Sequence, residues 1–460
     1  MTDASLKTLQ AYLDQHPDLA SLEILTPDMN GILRAKRIPR AEIETFFEKG
    51  LTGPGTTPIM NTLGDCCEPL GLGTLDGDPD KRFWPVPESL APIPWLKSAT
   101  HQVLAHWTEL DGEPLGWSAR TLLANALAPL TEMGLKVVVA TELEFYLLAD
   151  SDGPVPQPRL GRILGTGMGQ DGTQYCNPED MAEFDDFLEA VRLACEVQHI
   201  PATTAHLEFA PGQFEINLHH VDDVLTACDD AVLLKRLIRG VAAEQGMGVT
   251  FMAKPFAEQP GSGLHIHISV YDQDGNNIFV DPDSSEVPPI GPRMRDAIGG
   301  LGVLMKDCQA VFAPNANSYR RLKPGCYAPL SPNWGYNHRN VSLRIPVSDA
   351  KNLRIEHRVA GADANPYLVM AAVLAGIHYG LVNHCEPGTR VAEGEFLEDE
   401  EITLATDWPR ALDNWKASEV VPTYFGEHFA ELFELTRRDE YEQFQSVISN
   451  VDYEWYLRSV

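Results

Sequence analysis

Basic residues are scarce in this chain: 35 lysines and arginines stand against 66 aspartates and glutamates, a formal net charge of −31 at pH 7. That balance argues against nucleic acid as a partner, because nonspecific binding there relies on cationic side chains neutralising phosphates. It suits a cationic substrate, whose local concentration a negative field raises, and equally a solvated acidic surface. Long apolar runs are also missing. No stretch approaches the roughly 20 apolar residues of a membrane span, and the longest candidate, 370–382, is interrupted by His378 and Tyr379. Residues 1–20 carry acidic and polar side chains throughout, with no apolar run behind a basic lead. No signal peptide or membrane association is therefore expected, and a cytoplasmic protein is. The cysteines, at positions 66, 67, 176, 195, 228, 308, 326 and 385, form no CxxC pair. Mostly inert thiols in a reducing compartment follow, rather than a disulfide or zinc framework. Fixed-period repeats and low-complexity tracts are absent too.

What is present is core material: 460 residues with 44% hydrophobic and 8% aromatic side chains, enough for roughly two or three domains. An amphipathic helix is expected over 4–14, then strands over 22–25 and 32–38 around the turn Pro27-Asp28-Met29-Asn30-Gly31. The crowding of Gly, Pro and Asp over 50–94 predicts an irregular region with short strands. A loop near 112–118 leads into a helix over 119–133, which places a domain boundary there, between 1–112 and 113–460. Beyond it, strands are expected over 137–148 and 264–271, helices over 180–197 and 221–244, and an apolar helix starting at Asn365-Pro366.

Four segments carry groups that can do chemistry. In TELEF (141–145), Glu142 and Glu144 are one residue apart in an apolar strand, so both carboxylates point to one face. Such neighbours repel unless a divalent cation lies between them. HLEFAPGQFE (206–215) adds Glu208 and Glu215 around a Pro-Gly turn. GSGLHIHIS (261–269) puts His265, His267 and Ser269 on one strand face after a loop of small residues that lets a ligand approach the backbone. Arg320, Arg321, Arg339, Arg344, Lys351, Arg354 and Arg358, with Glu356 among them, suggest an anion site in an otherwise acidic chain. Each pattern alone also fits a solvated strand face or surface ion pairs; it is their conjunction that points to a site. GMGQDG (167–172) matches GxGxxG in letters but lacks a strand before it and a helix after it, so no dinucleotide site is expected there.

Taken together, TELEF, HLEFAPGQFE, KPFAEQPGSGLHIHIS, PNANSYRRLKPG, NVSLRIP and LRIEHRVAGADANPY resemble the glutamine synthetase family from about Gly112 to Val460. The resemblance implies an α+β chain: a small β-grasp-like N-terminal domain and a larger catalytic domain with a curved antiparallel sheet and helices. It implies a homo-oligomer of stacked hexameric rings, a dodecamer, with active sites shared between neighbouring subunits. It implies ATP and two divalent ions, Mg²⁺ or Mn²⁺, in each site. Carried over motif by motif, Glu144, Glu208 and Glu215 would hold one ion, and Glu142, His265 and Glu356 the other. Gly261, Arg321 and Arg358 would position L-glutamate, while His267, Ser269, Arg339, Arg344, Lys351 and Arg354 would face ATP or the transferring phosphoryl group. Glu208 would take the proton of the attacking amine, with Arg339 and Arg344 also counted as catalytic.

Departures from the ammonium-using pattern bear on the acceptor. The family's Asp-Gly-Ser-Ser loop is absent, GLTGPG (50–55) standing in its region, and Cys326-Tyr327 occupies the place of an aromatic residue followed by glutamate. Two carboxylates that bind and deprotonate ammonium are thereby lost. The pattern is similar to the γ-glutamylpolyamine and γ-glutamylmonoamine synthetases. The expectation is a glutamate–amine ligase working through γ-glutamyl phosphate on an organic amine such as putrescine; the alternatives are a monoamine, ammonium, or a non-catalytic relative. Tyr175 and Tyr327 are expected to line the amine pocket, with Asp65, Glu68, Trp334 and Tyr336 near its entrance.

Overall fold

Two sheets organise the chain in a computed structural model, which describes residues 3–150, 153, 155–324, 328–388, 390–395 and 402–460. After a helix at Asp3–Gln15, β1 (Ser21–Pro27) and β2 (Leu33–Pro39) form the expected antiparallel hairpin. Asp28 shapes its turn: Oδ1 accepts the backbone N–H groups of Asn30 and Ile32, and Oδ2 accepts Arg34 Nε at 2.9 Å. Gly31 closes it at φ 74°, in the left-handed region that a Cβ disfavours. The strands β3 (Leu51–Pro54), β4 (Asp80–Pro85), β5 (Ala91–Pro92) and β6 (Thr100–Thr108) complete a six-stranded sheet ordered β2-β1-β6-β4-β3, with β5 against β6. Leu9, Ile24, Phe46, Phe83, Trp107 and Leu115 are buried together in this part of the chain.

The second sheet is larger and carries the groups of interest. Its central strand is β7 (Lys136–Ala149), to whose far end β8 (Gln157–Pro158) pairs. A two-residue ribbon, β9 (Arg162–Ile163) with β10 (Met168–Gly169), stands apart from it. The remaining strands are β11 (Ala202–Leu207), β12 (Gln213–Leu218), β13 (Gly248–Thr250), β14 (Leu264–Tyr271), β15 (Trp334–Tyr336), β16 (Leu343–Ile345) and β17 (Ile355–His357). Their order is β11-β12-β7-β14-β17-β16-β15, antiparallel except for β15 beside β16. Burial alternates along most of β7, so Leu143 and Phe145 enter the core while Glu142 and Glu144 look out from the opposite face. On the core side Phe145 stacks on Phe214 at 5.8 Å between centroids.

Helices close that core. Helix Pro366–Asn383, capped by Asn365 Oδ1 on the Tyr367 N–H, crosses helix Pro292–Asp307 at glycines. A Cβ on Gly300 would lie 2.2 Å from the Gly376 carbonyl oxygen, and one on Gly380 2.1 Å from that of Asp296, so only glycine permits this approach. Pro366–Asn383 is also the described helix long and apolar enough to cross a membrane, and 78% of it is buried inside the protein.

Two expected helices differ in extent. The segment 180–197 is broken into Pro178–Ala182 and Asp185–Gln198, because Phe184 leaves helical geometry to pack its ring 5.0 Å from that of Phe214. The helix expected from 221 starts at Val224: Val221 bridges β7 at Val139, and Asp223 then caps the N–H groups of Leu225 and Thr226.

Candidate active site

Strand register assembles the site. Glu215 on β12 lies opposite Glu144 on β7, and Asn217 opposite Glu142; on the far side of β7, His265 of β14 lies opposite Glu142. His206 on β11 pairs with Glu215, Glu356 on β17 with His267, and Arg344 on β16 with Glu356. Since side chains alternate between faces, these partners share the face opposite the hydrophobic core. Glu208 joins them from the loop between β11 and β12, where Gly212 turns the chain at φ 74°.

Their contacts are close. His265 sits between two carboxylates, with Nδ1 3.2 Å from Glu142 and Nε2 3.8 Å from Glu144. His267 Nε2 is 2.8 Å from Glu142, and Arg354 Nε donates to its Nδ1 at 3.2 Å. His206 Nε2 is 3.0 Å from Glu208 and 3.7 Å from Glu215. Glu356 is fully buried between Arg344, at 2.7 Å, and Arg358. The small-residue loop fits tightly around this array: Gly263 N–H donates to Glu144 Oε2 at 2.8 Å, and Gln213 Nε2 to the Gly261 carbonyl at 3.0 Å.

Charge is unevenly distributed. Burial, then the carboxylates of Glu142, Glu144 and Glu208, push Glu215 up to about 10, so the bare protein holds a proton there at neutral pH. Burial opposes the ionised form of Glu142, yet hydrogen bonds from His265 and His267 drive it well below the usual carboxylate range. Burial likewise would raise Glu356, but Arg358 and the two histidines outweigh it and hold the group at about 2. Glu208 is lowered against burial by His206. Among the described residues, three groupings have ligand atoms close enough to share a cation: Glu142, His265 and Glu356; Glu144, Glu215 and His265; and His206, Glu208 and Glu215. Carboxylate oxygens with a few imidazoles suit a hard divalent ion such as Mg²⁺ or Mn²⁺, and replacing the Glu215 proton by such an ion removes the repulsion.

Two cavities open on this face. One, of about 630 Å³, is lined by Glu142, Glu144, Glu208, Glu215, His265 and Glu356, and also by Tyr175, Gly261, Arg321, Arg339, Arg344 and Arg358. The other, of about 540 Å³, holds His267, Ser269 and Arg354. Glu142, Thr204 and Asn217 border both, so the carboxylate cluster lies where they meet.

Some expected residues lie elsewhere. Lys351 is exposed and lines neither cavity; its carbonyl accepts from Tyr271 and Asn277. Asp65, Glu68, Trp334 and Tyr336 also line neither. Trp334 is buried, with its indole N–H on the Gly388 carbonyl, while Asp65 and Glu68 belong to the N-terminal part of the chain. Cys326 and Tyr327 lie outside the described residues. Conversely, His206, Thr204 and Asn217 line the cavities without having been singled out. The period-two rule applied outward from Glu208 and Glu215 identifies His206 and Asn217.

The glutamine synthetase catalytic domain matches residues 117–456. The γ-glutamylputrescine synthetase PuuA of Escherichia coli K12 is 39% identical over 99% of this chain and 95% of its own. The glutamate–isopropylamine ligase of a Pseudomonas species is 32% identical over 97% and 96%. Among solved structures, apo GmaS without ligand superposes with a TM-score of 0.82 at 26% identity, covering 100% of both chains.

Proposed function

We propose, from the premise that this chain belongs to the glutamine synthetase family, that it joins the γ-carboxyl of L-glutamate to a diamine such as putrescine at the expense of ATP. The α+β fold with its curved sheet and the class of ATP-dependent glutamate–amine ligase come with the family. The observation that carries the reading is the convergence of Glu142, Glu144, Glu208, Glu215, His265 and Glu356 on one sheet face at the junction of two cavities. In this reading Glu144, Glu208 and Glu215 hold one divalent ion and Glu142, His265 and Glu356 the other. When bound, these ions supply positive charge to the phosphoryl oxygens.

A carboxylate does not condense with an amine in water because its oxygen is a poor leaving group. Gly261, Arg321 and Arg358 hold glutamate, His267, Ser269 and Arg354 orient ATP, and Arg339 and Arg344 neutralise the γ-phosphoryl group as it passes to the glutamate γ-carboxylate. In this cavity the amine nitrogen attacks the acyl carbon of γ-glutamyl phosphate, forming the C–N bond and releasing phosphate. Glu208 takes the amine proton, its oxygens held by His206 and the Phe209 N–H.

Gly261→Ala is expected to raise the KM for glutamate at least about tenfold, ~1.4 kcal/mol of binding. The new Cβ would lie 2.4 Å from the Ala253 carbonyl oxygen and 2.8 Å from Arg321 Cγ, forcing Arg321 aside. An unchanged glutamate saturation curve removes Gly261 and Arg321 from that role.

The diamine follows from the 39% identity to a putrescine enzyme and from what is missing. Residues 50–55, where the ammonium-using pattern carries an aspartate, have no carboxylate and lie mostly in β3. Tyr175 and Phe209, half exposed on the larger cavity, offer ring faces to the ammonium left at the far end of a diamine. The similarity to an isopropylamine enzyme favours a monoamine as second reading. ATP-dependent phosphate release at fixed glutamate, titrated with putrescine, butylamine and ammonium, decides between them. Putrescine is expected to give the highest kcat/KM and ammonium the lowest. Stronger use of butylamine selects the monoamine reading, and comparable use of ammonium overturns both.

The division at residue 112, cytoplasmic location and assembly into stacked hexameric rings are part of this proposal. Support for assembly comes from the C-terminal segment, where Phe444, Val447, Ile448, Trp455 and Leu457 are all exposed in the single chain.

A further inference from the structure

Away from the carboxylate face, a cavity of about 330 Å³ lies where the β1–β2 turn meets helices Val224–Glu244 and Glu427–Ser446; it shares no lining residue with the two cavities described above. Lys235, Arg239, Arg437, Asn30, Asn315 and Asp363 are among its walls. Lys235 is buried, and its ammonium donates to the Ala364 carbonyl at 3.1 Å. Its Nζ lies 5.6 Å from the centroid of Phe251, and the Arg239 guanidinium lies 4.8 Å from the same centroid. Among the described residues, neither cation has a carboxylate within ion-pairing distance. In a chain with 66 acidic and 35 basic residues, adjacent cations sharing one ring and no carboxylate call for a missing counter-charge.

Arg437 adds a third cation to the wall. Its Nη1 bonds Asn30 Oδ1 at 2.6 Å and Glu440 at 3.0 Å, while its Nε is buried with no partner. Asp363, the carboxylate in the lining, forms no ion pair with either cation: it attracts the Lys235 ammonium only at longer range, and its Oδ2 accepts Asn315 Nδ2 at 2.8 Å and Ser318 Oγ at 2.7 Å. Burial first, and repulsion from Arg239 second, outweigh the attraction of Asp363 and pull Lys235 down to about 7.

We propose that this cavity binds a compact anion, inorganic phosphate or a small dicarboxylate, between Lys235 and Arg239. The cavity can enclose such a molecule, and a planar guanidinium with an ammonium beside it recognises oxyanions of either shape. An anion there favours the charged form of Lys235 against the burial and repulsion that pull it down.

The test uses the assembled, metal-loaded enzyme. Its melting temperature is followed as phosphate or malonate is raised, with ionic strength held constant by chloride. A saturable rise beyond chloride is expected for the unaltered protein, as ligand binding to the folded state requires. Arg239→Gln, at an exposed position, is expected to weaken the apparent affinity at least about tenfold, and Lys235→Met to do the same. Turnover at saturating substrates without added anion stays unchanged in Arg239→Gln. A response to phosphate alone assigns a tetrahedral oxyanion, and a response to malonate alone a dicarboxylate. Equal responses in the unaltered protein and Arg239→Gln overturn the proposal, because the anion then acts elsewhere. So does the absence of any response beyond chloride.

Discussion

Glu215→Gln is expected to lower ligase turnover more than tenfold while raising the melting temperature of the metal-free protein. The two effects share one origin. Glu215 is buried among Glu142, Glu144 and Glu208, and without a cation its carboxyl is pushed up to about 10. A neutral amide of the same size needs no proton taken up on folding, so the bare fold gains stability at neutral pH; it also removes the negative charge that a divalent ion needs, so catalysis is lost. Each factor of ten in rate corresponds to about 1.4 kcal/mol of barrier.

The sign of the pH effect follows. A carboxyl raised in the folded state keeps its proton where the unfolded chain has released it. The metal-free protein therefore loses stability as pH rises from about 4.5 toward 10, and Glu215→Gln flattens that fall. Chelator-treated samples melted across this range, beside phosphate-release assays with excess Mg²⁺, measure both parts. Glu144→Gln should lose activity to a similar extent. Retention of more than about a tenth of the activity, or parallel pH profiles for the original and Gln proteins, refutes this account of Glu215.

Glu356→Leu is expected to cost about 3–5 kcal/mol of folding stability, the usual consequence of stranding buried charges by deleting their partner. Glu356 is fully buried between Arg344 and Arg358, and Arg344 Nε already lacks a partner. Glu356→Gln keeps one oxygen acceptor and should lose less. Because Glu356 is held at about 2, its stabilising contribution is present above the unfolded carboxylate range and disappears as pH falls from about 4.5 through 2. Urea denaturation of the three proteins at neutral pH gives the comparison. A loss below about 1 kcal/mol for the Leu protein would mean that water reaches the arginines and replaces the carboxylate.

Local pattern was enough to read the carboxylate face in outline. Alternation in TELEF and LHIHIS requires a strand with Glu142 and Glu144, or His265 and His267, on one side, since the side-chain period of a strand is two whatever its neighbours are. The hairpin around Asp28 and the helix beginning at Asn365-Pro366 were legible because turn and cap residues act within a few positions of themselves. The break at Phe184 was not: a helical pattern runs through it, and the distant Phe214 decides that the chain bends there.

The amino-acid sequence by itself determined the family, the donor types at the site and the lack of any carboxylate in residues 50–55, because these depend on which residues occur and how closely they follow one another. Only the tertiary structure decided that Glu215 stands across from Glu144, that His265 falls between Glu142 and Glu144, and that Glu356 is locked between two arginines. It also brought Lys235 and Arg239 over Phe251 beside Arg437, residues from one helix, a strand-end loop and a C-terminal helix. Strand register and helix packing join distant segments, Glu142 and His265 being 123 residues apart, and no local spacing encodes the distances that set these charges against one another.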